Sequence, residues 1–271
     1  MTPAPDARTL ALHAEAMAAL PGDPFVRWDV DPGPMERVLA SPGRAVAILT
    51  RHASRGVRWV TALAADETVP EHAAAAVELA VALARDVQDG EPLEGLTVPA
   101  GSTGLVPPDL QPVEWAHWDA WSTETVPDLP ERAFHGPLEV LDADRDDPRI
   151  PLLLDLASPS APVRPGDTRV ARWAVVPDPD GDLADTGGLA AMLALTRLPS
   201  GAAHLNDVAT HPARRGRGIA RTLCGVVTAQ ALRGGYPAVT LGMYSSNDAA
   251  RPVYESLGFV RSRSCSSGSF A

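Results

Sequence analysis

The sequence predicts an α+β chain, α/β-like in its alternation of elements, with a mixed sheet flanked by helices. Hydrophobic residues make up 45% of the 271 residues and charged residues only 21%, so the chain can bury a sizeable core. From Leu138 onward, strand-like and helix-like patterns alternate. A proline-punctuated segment, Pro127 to Gly136, resembles a linker. We therefore expect an N-terminal α/β domain over residues 1–130 and a second domain over residues 137–271.

In the N-terminal part, the pattern predicts two helices and three strands. The expected ranges are helix 7–20, strand 44–49, strand 57–64, helix 70–88 and strand 113–124. His52 to Gly56 is predicted to form the turn between the first two strands. Prolines and glycines punctuate residues 90–129, so no long regular element is expected there apart from the last strand. Three tryptophans in that region, Trp115, Trp118 and Trp121, could line a pocket, but packing is the favoured interpretation.

In the C-terminal part, six strands and three helices are predicted. They are strand 138–142, helix 147–157, strands 168–176, 188–196 and 202–210, helix 218–233, strand 238–244, helix 248–257 and a final strand or hairpin from Phe259. Strand 202–210 leads directly into the helix over 218–233.

The composition excludes several chemistries. All 23 basic residues are arginine, so the chain has no lysine for a P-loop, a Schiff base or a general base. Cys224 and Cys265 are too few and too far apart for a metal site or a disulfide scaffold, which favours a reduced, cytoplasmic setting without a bound metal. The longest apolar stretch, Ala73 to Ala84, is short and contains Glu78, and no signal peptide pattern is present, so no membrane partner is expected.

The net charge of −11 is unevenly distributed. Residues 200–271 carry eight arginines against three acidic residues, whereas residues 1–199 are strongly acidic. A short basic segment in an acidic protein indicates a local anionic ligand rather than a nucleic acid. The acidic remainder suggests a cationic amine acceptor.

The basic charge is concentrated where a predicted strand runs into a helix. Gly216 and Gly218 allow the backbone to approach a ligand, and the first turn of the helix leaves N–H groups unpaired. Four arginines add positive charge: Arg214, Arg215, Arg217 and Arg221. This combination favours a diphosphate. A Rossmann dinucleotide site is weakly supported, because the third glycine position holds an arginine and no acidic residue follows about twenty positions later. From the loop alone, a plain strand-to-helix turn with solvated arginines stays open.

A second motif follows the strand predicted over 238–244. It reads NDAARPVYESLGF over residues 247–259 and follows RGRGIA over residues 215–220. The pair resembles the GNAT superfamily of N-acetyltransferases, whose motifs are R/Q-x-x-G-x-G/A and a later N-x-x-A-x-x-x-Y-x-x-x-G-F. The order of the motifs, their separation of 32 residues and the intervening helix and strand all match. The resemblance covers about residues 137–271.

The resemblance implies a GNAT fold, with a central, mostly antiparallel mixed sheet, and acetyl-CoA as the acyl donor. It implies cofactor-binding roles for Val208, Ala209, Thr210, Arg215, Gly216, Arg217, Gly218, Ile219, Ala220, Arg221 and Asn247. The N-terminal domain has no second copy of the loop motif, and its order of elements is compatible with a degenerate GNAT-like half.

The resemblance also implies that Tyr254 is the general acid that protonates the leaving thiolate. His204 and Asp207 are the candidate bases for the attacking amine, and strand alternation predicts that His204 and Asn206 share one face while Asp207 lies on the other. A buried, hydrogen-bonded role for His204 stays open. His211 is expected to be exposed or near phosphate.

The sequence thus predicts an acyl-CoA-dependent N-acyltransferase that acetylates a primary amine of a small molecule or peptide in a ternary complex, as a monomer or homodimer. The alternative is a catalytically inactive CoA-binding sensor or assembly module. Pro252 is one reason for it, because a proline within the helix could re-aim Tyr254 if Asp248 is the cap.

Overall fold

The structure is a computed structural model that describes residues 6–31, 33–51, 57–87, 92–129 and 138–270. The helices are α1 Ala7–Ala19, α2 Pro24–Trp28, α3 Pro70–Val87, α4 Arg149–Ala157, α5 Ile219–Arg233 and α6 Arg251–Ser256. The strands are β1 Met35–Ser41, β2 Ala45–Arg51, β3 Arg58–Ala64, β4 Leu93–Pro99, β5 Ala116–Thr123, β6 Leu141–Ala143, β7 Val170–Pro177, β8 Leu189–Arg197, β9 Ala203–Thr210, β10 Val239–Tyr244 and β11 Val260–Ser269.

These elements divide into two compact units. The N-terminal unit comprises residues up to 121 together with 243–247 and 261–271, and the C-terminal unit comprises residues 122–242 and 248–260. Most of β11 therefore groups with the N-terminal unit. The predicted domain boundary falls on residues 130–137, and both it and the predicted turn at 52–56 lie outside the described residues.

The N-terminal unit is built on a sheet with the strand order β1-β2-β3-β4-β11-β5. Strands β1, β2 and β3 form an antiparallel meander, and β4 runs parallel to β3 after the crossover helix α3. Helix α3 buries its apolar stripe, which includes Ala76, Ala80 and Leu83, against β2, β3 and β4. Helix α1 begins at Asp6, whose carboxylate accepts a hydrogen bond from the Thr9 N–H at 2.9 Å.

The C-terminal unit has the strand order β10-β9-β8-β7-β6. Strands β6 to β9 are antiparallel neighbours, and β10 runs parallel to β9 after the crossover helix α5. Helix α4 packs Ile150, Leu153 and Leu154 on the face that carries Trp173 and Met192. Both units therefore contain three antiparallel strands, a helix and a parallel strand in this order. The mixed, mostly antiparallel sheets flanked by helices confirm the predicted fold class.

Several elements differ from the sequence prediction. Helix α2 and strand β1 were not expected between the first predicted helix and the first predicted strand. Strand β4 was not expected in the proline-punctuated region, yet it pairs with β3 on one side and with β11 on the other. The helix predicted over 248–257 is only the six residues of α6, with Ala250 and not Asp248 at its N-cap. Pro252 is the second residue of α6. A backbone N–H at this position has no partner within the helix, so the missing N–H of proline does not break the helix.

Two of the three tryptophans singled out in the sequence, Trp115 and Trp118, pack against the cores of the N-terminal unit. Trp115 and Trp118 donate their indole N–H groups to Gln111 (3.1 Å) and Ser267 (2.7 Å), and Trp121 is only 3% exposed. These contacts support packing and not a substrate pocket. Across the described ranges, none of the helices has the length and apolar character needed to cross a bilayer.

Candidate active site

The neighbouring strands β9 and β10 part halfway along their length. Their parallel pairs run from Ala203 with Val239 to Leu205 with Leu241, while β9 continues to Thr210. At this point β9 also contains a bulge against β8, because Asn206 pairs with Ala194 and Ala209 pairs with Met192, which leaves two residues of β9 opposite one of β8.

The bulge is centred on Asp207 and Val208. Asp207 has φ 51°, a left-handed conformation that aspartate tolerates better than most residues. A bulge removes backbone groups from regular pairing and can turn them toward a ligand. The segment Val208, Ala209 and Thr210 thus follows directly on a bulge, along the edge where β9 leaves β10.

Beyond β9 the chain forms the loop of residues 211–218, which we call the glycine–arginine loop. Gly216 and Gly218 have φ values of +74° and +76°, and a Cβ built on either would meet nothing within 4 Å. Gly218 is the N-cap of α5, and no side chain caps the first turn of this 15-residue helix. The N–H groups of Ile219, Ala220 and Arg221 therefore have no partner within the helix, and they share the positive end of its dipole. Such a cradle suits the diphosphate of CoA.

The four arginines of this region do not act alike. Arg214 is buried, and its guanidinium makes a bidentate pair with Asp178 at 2.7 and 2.9 Å. This pair holds the pKa of the Asp178 carboxyl well below its usual range and raises the pKa of Arg214. The prediction that Arg214 adds charge to the anion site is therefore wrong, because its charge is neutralised inside the protein.

The other three arginines lie on the exposed side of the loop. Arg217 pairs with Asp180 at 3.0 Å, Arg221 donates to the Ser256 hydroxyl at 3.0 Å, and Arg215 donates to the Thr210 carbonyl at 3.3 Å. The structure thus brings the predicted residues 215–221 together in one turn at the start of α5.

His211, at the start of the loop, is buried and not exposed as expected. Its Nδ1 accepts a hydrogen bond from the Ala213 N–H at 3.1 Å, and its Nε2 lies 3.1 Å from a carboxylate oxygen of Asp185. Because one ring nitrogen accepts, the other carries the proton that Asp185 accepts. His211 therefore holds the loop through both ring nitrogens.

Tyr254 lies on α6 and is 7% exposed. Its ring packs edge-on against Phe259, with 5.9 Å between the ring centroids. Burial raises the pKa of the Tyr254 phenol above its usual value of 10.0, with a further contribution from nearby Cys224 on α5. The phenol is therefore neutral at physiological pH, and the raised pKa also makes it a weaker acid than a solvated phenol.

The candidate bases lie on β9. His204 Nδ1 is 2.7 Å from the Thr240 hydroxyl, and Asn206 donates to the Thr196 hydroxyl at 2.9 Å. The Asp207 carboxylate accepts a hydrogen bond from the Val163 N–H at 2.9 Å, and burial raises the pKa of this carboxyl.

Asp207 does not point away from the other two residues. Val163 belongs to the core beneath α4, on the sheet face that also carries Ala194, the partner of Asn206. The prediction that Asp207 lies on the face opposite His204 and Asn206 is therefore wrong, because the bulge interrupts the alternation of side chains along β9.

Asn247 follows β10 in a turn closed by its N–H, which donates to the Tyr244 carbonyl at 2.9 Å. Its side chain is exposed, and the residue groups with the N-terminal unit. Its predicted contact with the cofactor stays a prediction. Within the ranges that the structure describes, no three His, Cys, Asp or Glu side chains are grouped so as to hold a metal ion.

The sequence profile of the GNAT acetyltransferase family matches residues 153–259. A GCN5-related N-acetyltransferase-like protein from Streptococcus suis has a TM-score of 0.52 at 11% identity, over 96% of this chain and 99% of that one. A Drosophila protein has a TM-score of 0.51 at 16% identity, over 84% of this chain and 74% of that one.

A Novosphingobium aromaticivorans protein assigned to the GNAT family is 25% identical, over 78% of this chain and 84% of that one, with a TM-score of 0.49. The search of curated proteins found no match. The two structures with TM-scores above 0.5 show the fold, and the profile match covers both the glycine–arginine loop and Tyr254. Residues 153–259 of the chain thus match the GNAT acetyltransferase family.

Proposed function

We propose that the protein is an acyl-CoA-dependent N-acyltransferase that moves an acetyl group from acetyl-CoA to a primary amine of a small molecule or peptide. The observation that carries the proposal is the glycine–arginine loop, in which two left-handed glycines open the uncapped N-terminus of α5 beside the parting of β9 and β10. The match of residues 153–259 to the GNAT acetyltransferase family supports acetyl transfer, and the amine acceptor is our inference.

The residues of this region suit the parts of the donor substrate. Backbone N–H groups of residues 216–221 would bind the diphosphate, with Arg215, Arg217 and Arg221 at its periphery. The edge of β9 at Val208, Ala209 and Thr210 would pair with the amide groups of pantetheine in the way that a strand pairs with its neighbour. Since Asp207 turns the backbone at the bulge, a backbone N–H beside Asp207 is a candidate hydrogen-bond donor to the carbonyl oxygen of the thioester.

In the proposed reaction the neutral amine nitrogen attacks the thioester carbonyl carbon directly, within a complex of both substrates. A C–N bond forms, the C–S bond breaks, and the electron pair of that bond leaves with sulfur. The Tyr254 hydroxyl donates a proton to the departing thiolate, whose ordinary pKa is about 8.5 against about 10 for a phenol. Burial keeps Tyr254 protonated until that step, but it also weakens the phenol as an acid, so the transfer requires the hydroxyl to lie within hydrogen-bond reach of the sulfur.

The proton of the amine needs an acceptor, and we propose His204 or Asp207 for this role. His204 offers an imidazole, the side chain that most often serves as a base near neutral pH. Burial raises the pKa of the Asp207 carboxyl, which makes it a stronger base than a solvated carboxylate. Both side chains already have hydrogen-bond partners. Each would accept the amine proton directly or through a water molecule.

The test is a thiol-release assay with acetyl-CoA and a panel of amines, combined with CoA titration by calorimetry. Tyr254→Phe is expected to lower kcat at least tenfold while the Kd for CoA stays within about twofold, because one hydroxyl is lost and the ring is kept. His204→Gln and Asp207→Asn are compared by the pH dependence of kcat/KM, since only loss of the base removes the acidic limb.

Unchanged turnover of Tyr254→Phe would remove Tyr254 from the acid role. Tight binding of CoA without turnover on any amine would instead favour the sensor interpretation. Failure to bind CoA at all would refute the proposed function.

A further inference from the structure

The turn between β7 and β8 places three carboxylates beside the glycine–arginine loop. Asp178, Asp180 and Asp182 alternate along this turn. The buried Asp178 neutralises Arg214 through two hydrogen bonds, of 2.7 and 2.9 Å. Asp182 also contacts Arg214, and a carboxylate oxygen of Asp180 lies 3.4 Å from the same guanidinium. Arg214 therefore has two carboxylate partners, Asp178 and Asp182, besides Asp180.

The same oxygen of Asp180 lies closer to Arg217, at 3.0 Å. Arg217 stands between the two left-handed glycines in the sequence, so its backbone is part of the cradle. Both side chains of this pair are about half exposed, at 52% and 53%, so the pair can open without unfolding the loop.

We propose that Asp180 restrains CoA binding by holding Arg217 in this ion pair, an inference that rests on the proposed function. A diphosphate in the cradle and the carboxylate of Asp180 compete for the guanidinium of Arg217. Binding of an anion must either break the Arg217–Asp180 pair or accept a carboxylate beside the phosphates, and both reduce the affinity. Asp180 is thus a residue that sets donor affinity and does not touch the reacting atoms.

The test measures the Kd of CoA by calorimetry for the wild type, Asp180→Asn and Asp182→Asn. Asp180→Asn is expected to tighten binding by about threefold at low ionic strength, which is the effect of releasing one exposed ion pair. At about 0.5 M salt the gain should shrink, since exposed charges are then screened over a few ångström. Asp182→Asn removes the same charge from the same turn without contact to Arg217, and it should change the Kd by less than about 1.5-fold.

A double-mutant cycle with Arg217→Ala identifies the route. The gain from Asp180→Asn is expected to disappear in the Arg217→Ala background. Three results would each overturn the proposal: equal tightening by Asp180→Asn in both backgrounds, equal tightening by Asp182→Asn, or no change of the Kd in Asp180→Asn. In each of these cases, CoA binding by the wild type leaves the proposed function intact. A wild type that does not bind CoA would overturn both.

Discussion

Replacing Gly218 by alanine tests whether the glycine–arginine loop binds the donor. Gly218 has φ +76°, and an alanine costs about 1–2 kcal/mol in that left-handed region. The added Cβ meets nothing within 4 Å, so it causes no clash, and we expect the loop of the free variant to relax to a negative φ. Binding must then restore the native turn, and the strain appears as a Kd for CoA raised by about 5- to 30-fold.

Gly235, just after the other end of α5, provides the matched control. Its φ is +96° and a Cβ there also meets nothing within 4 Å, so Gly235→Ala carries a comparable backbone strain on the same helix. We expect its Kd for CoA to stay within about twofold of the wild type, because the strain lies at the C-terminal end of the helix. The assay is calorimetric titration with CoA, with thermal melts as a check on folding. Equal affinities of Gly218→Ala and Gly235→Ala would refute the assignment of the loop.

Two further predictions concern the N-terminal unit and the thiols. Arg263 is buried and pairs with Asp23 and Glu67, so Arg263→Met should lower the free energy of unfolding by about 3–5 kcal/mol, against less than about 0.5 for the exposed Arg261→Met on the same strand. Burial already raises the pKa of the Glu67 carboxyl, so between pH 7 and pH 5 the folded variant takes up protons that the unfolded chain does not. The loss of unfolding free energy in Arg263→Met, measured by urea titration, should therefore be smaller at pH 5 than at pH 7. An equal loss at both pH values would contradict this reasoning. Burial raises the pKa of both cysteine thiols to about 12, so native protein should resist iodoacetamide at pH 8 and react once unfolded, whereas rapid native labelling would contradict their burial.

Periodicity was sufficient to predict most of the elements because their signals are local. The apolar stripe of α3 and the strand-to-helix transition before α5 lie within single windows of sequence, and both elements occur within two residues of the predicted bounds. Strand β4 was missed because its stability comes from two partners that are distant in sequence. Gly95 shows the constraint: a Cβ there would lie 2.3 Å from the carbonyl oxygen of Gly268 on β11, so a weak strand former is required by close approach.

The candidate site was predicted in its residues but not in its charges. Counting arginines along the loop gave each one equal weight, whereas the fold assigns Arg214 to a buried partner 36 residues earlier. The aspartate-rich turn Asp178–Asp182 was the available signal, since carboxylates clustered between two strands need cations nearby. The direction of Asp207 was not predictable from alternation, because a bulge is visible only in the register with β8.

The two units show how one arrangement of elements supports different chemistry. Each has a strand that leads into a helix and then into a parallel strand, but the connection between β3 and α3 contains Asp66 and Glu67 and no glycine. Helix α3 starts with Pro70, which has no N–H to offer. Glu67 instead accepts the Ser264 N–H at 3.0 Å and approaches the buried Arg263.

An anion at the start of α3 would therefore meet two carboxylates and fewer backbone donors, whereas at the start of α5 it meets two left-handed glycines, unpaired N–H groups and three exposed arginines. The helix dipole has the same sign at both places, so the dipole alone cannot decide where an anion binds. The loop before the helix determines whether an anion binds, because its residues either leave the backbone N–H groups accessible or engage them. For this reason we expect one CoA per chain, bound to the C-terminal unit, and a stoichiometry of two in the calorimetric titration would show that the acidic connection does not exclude a second ligand.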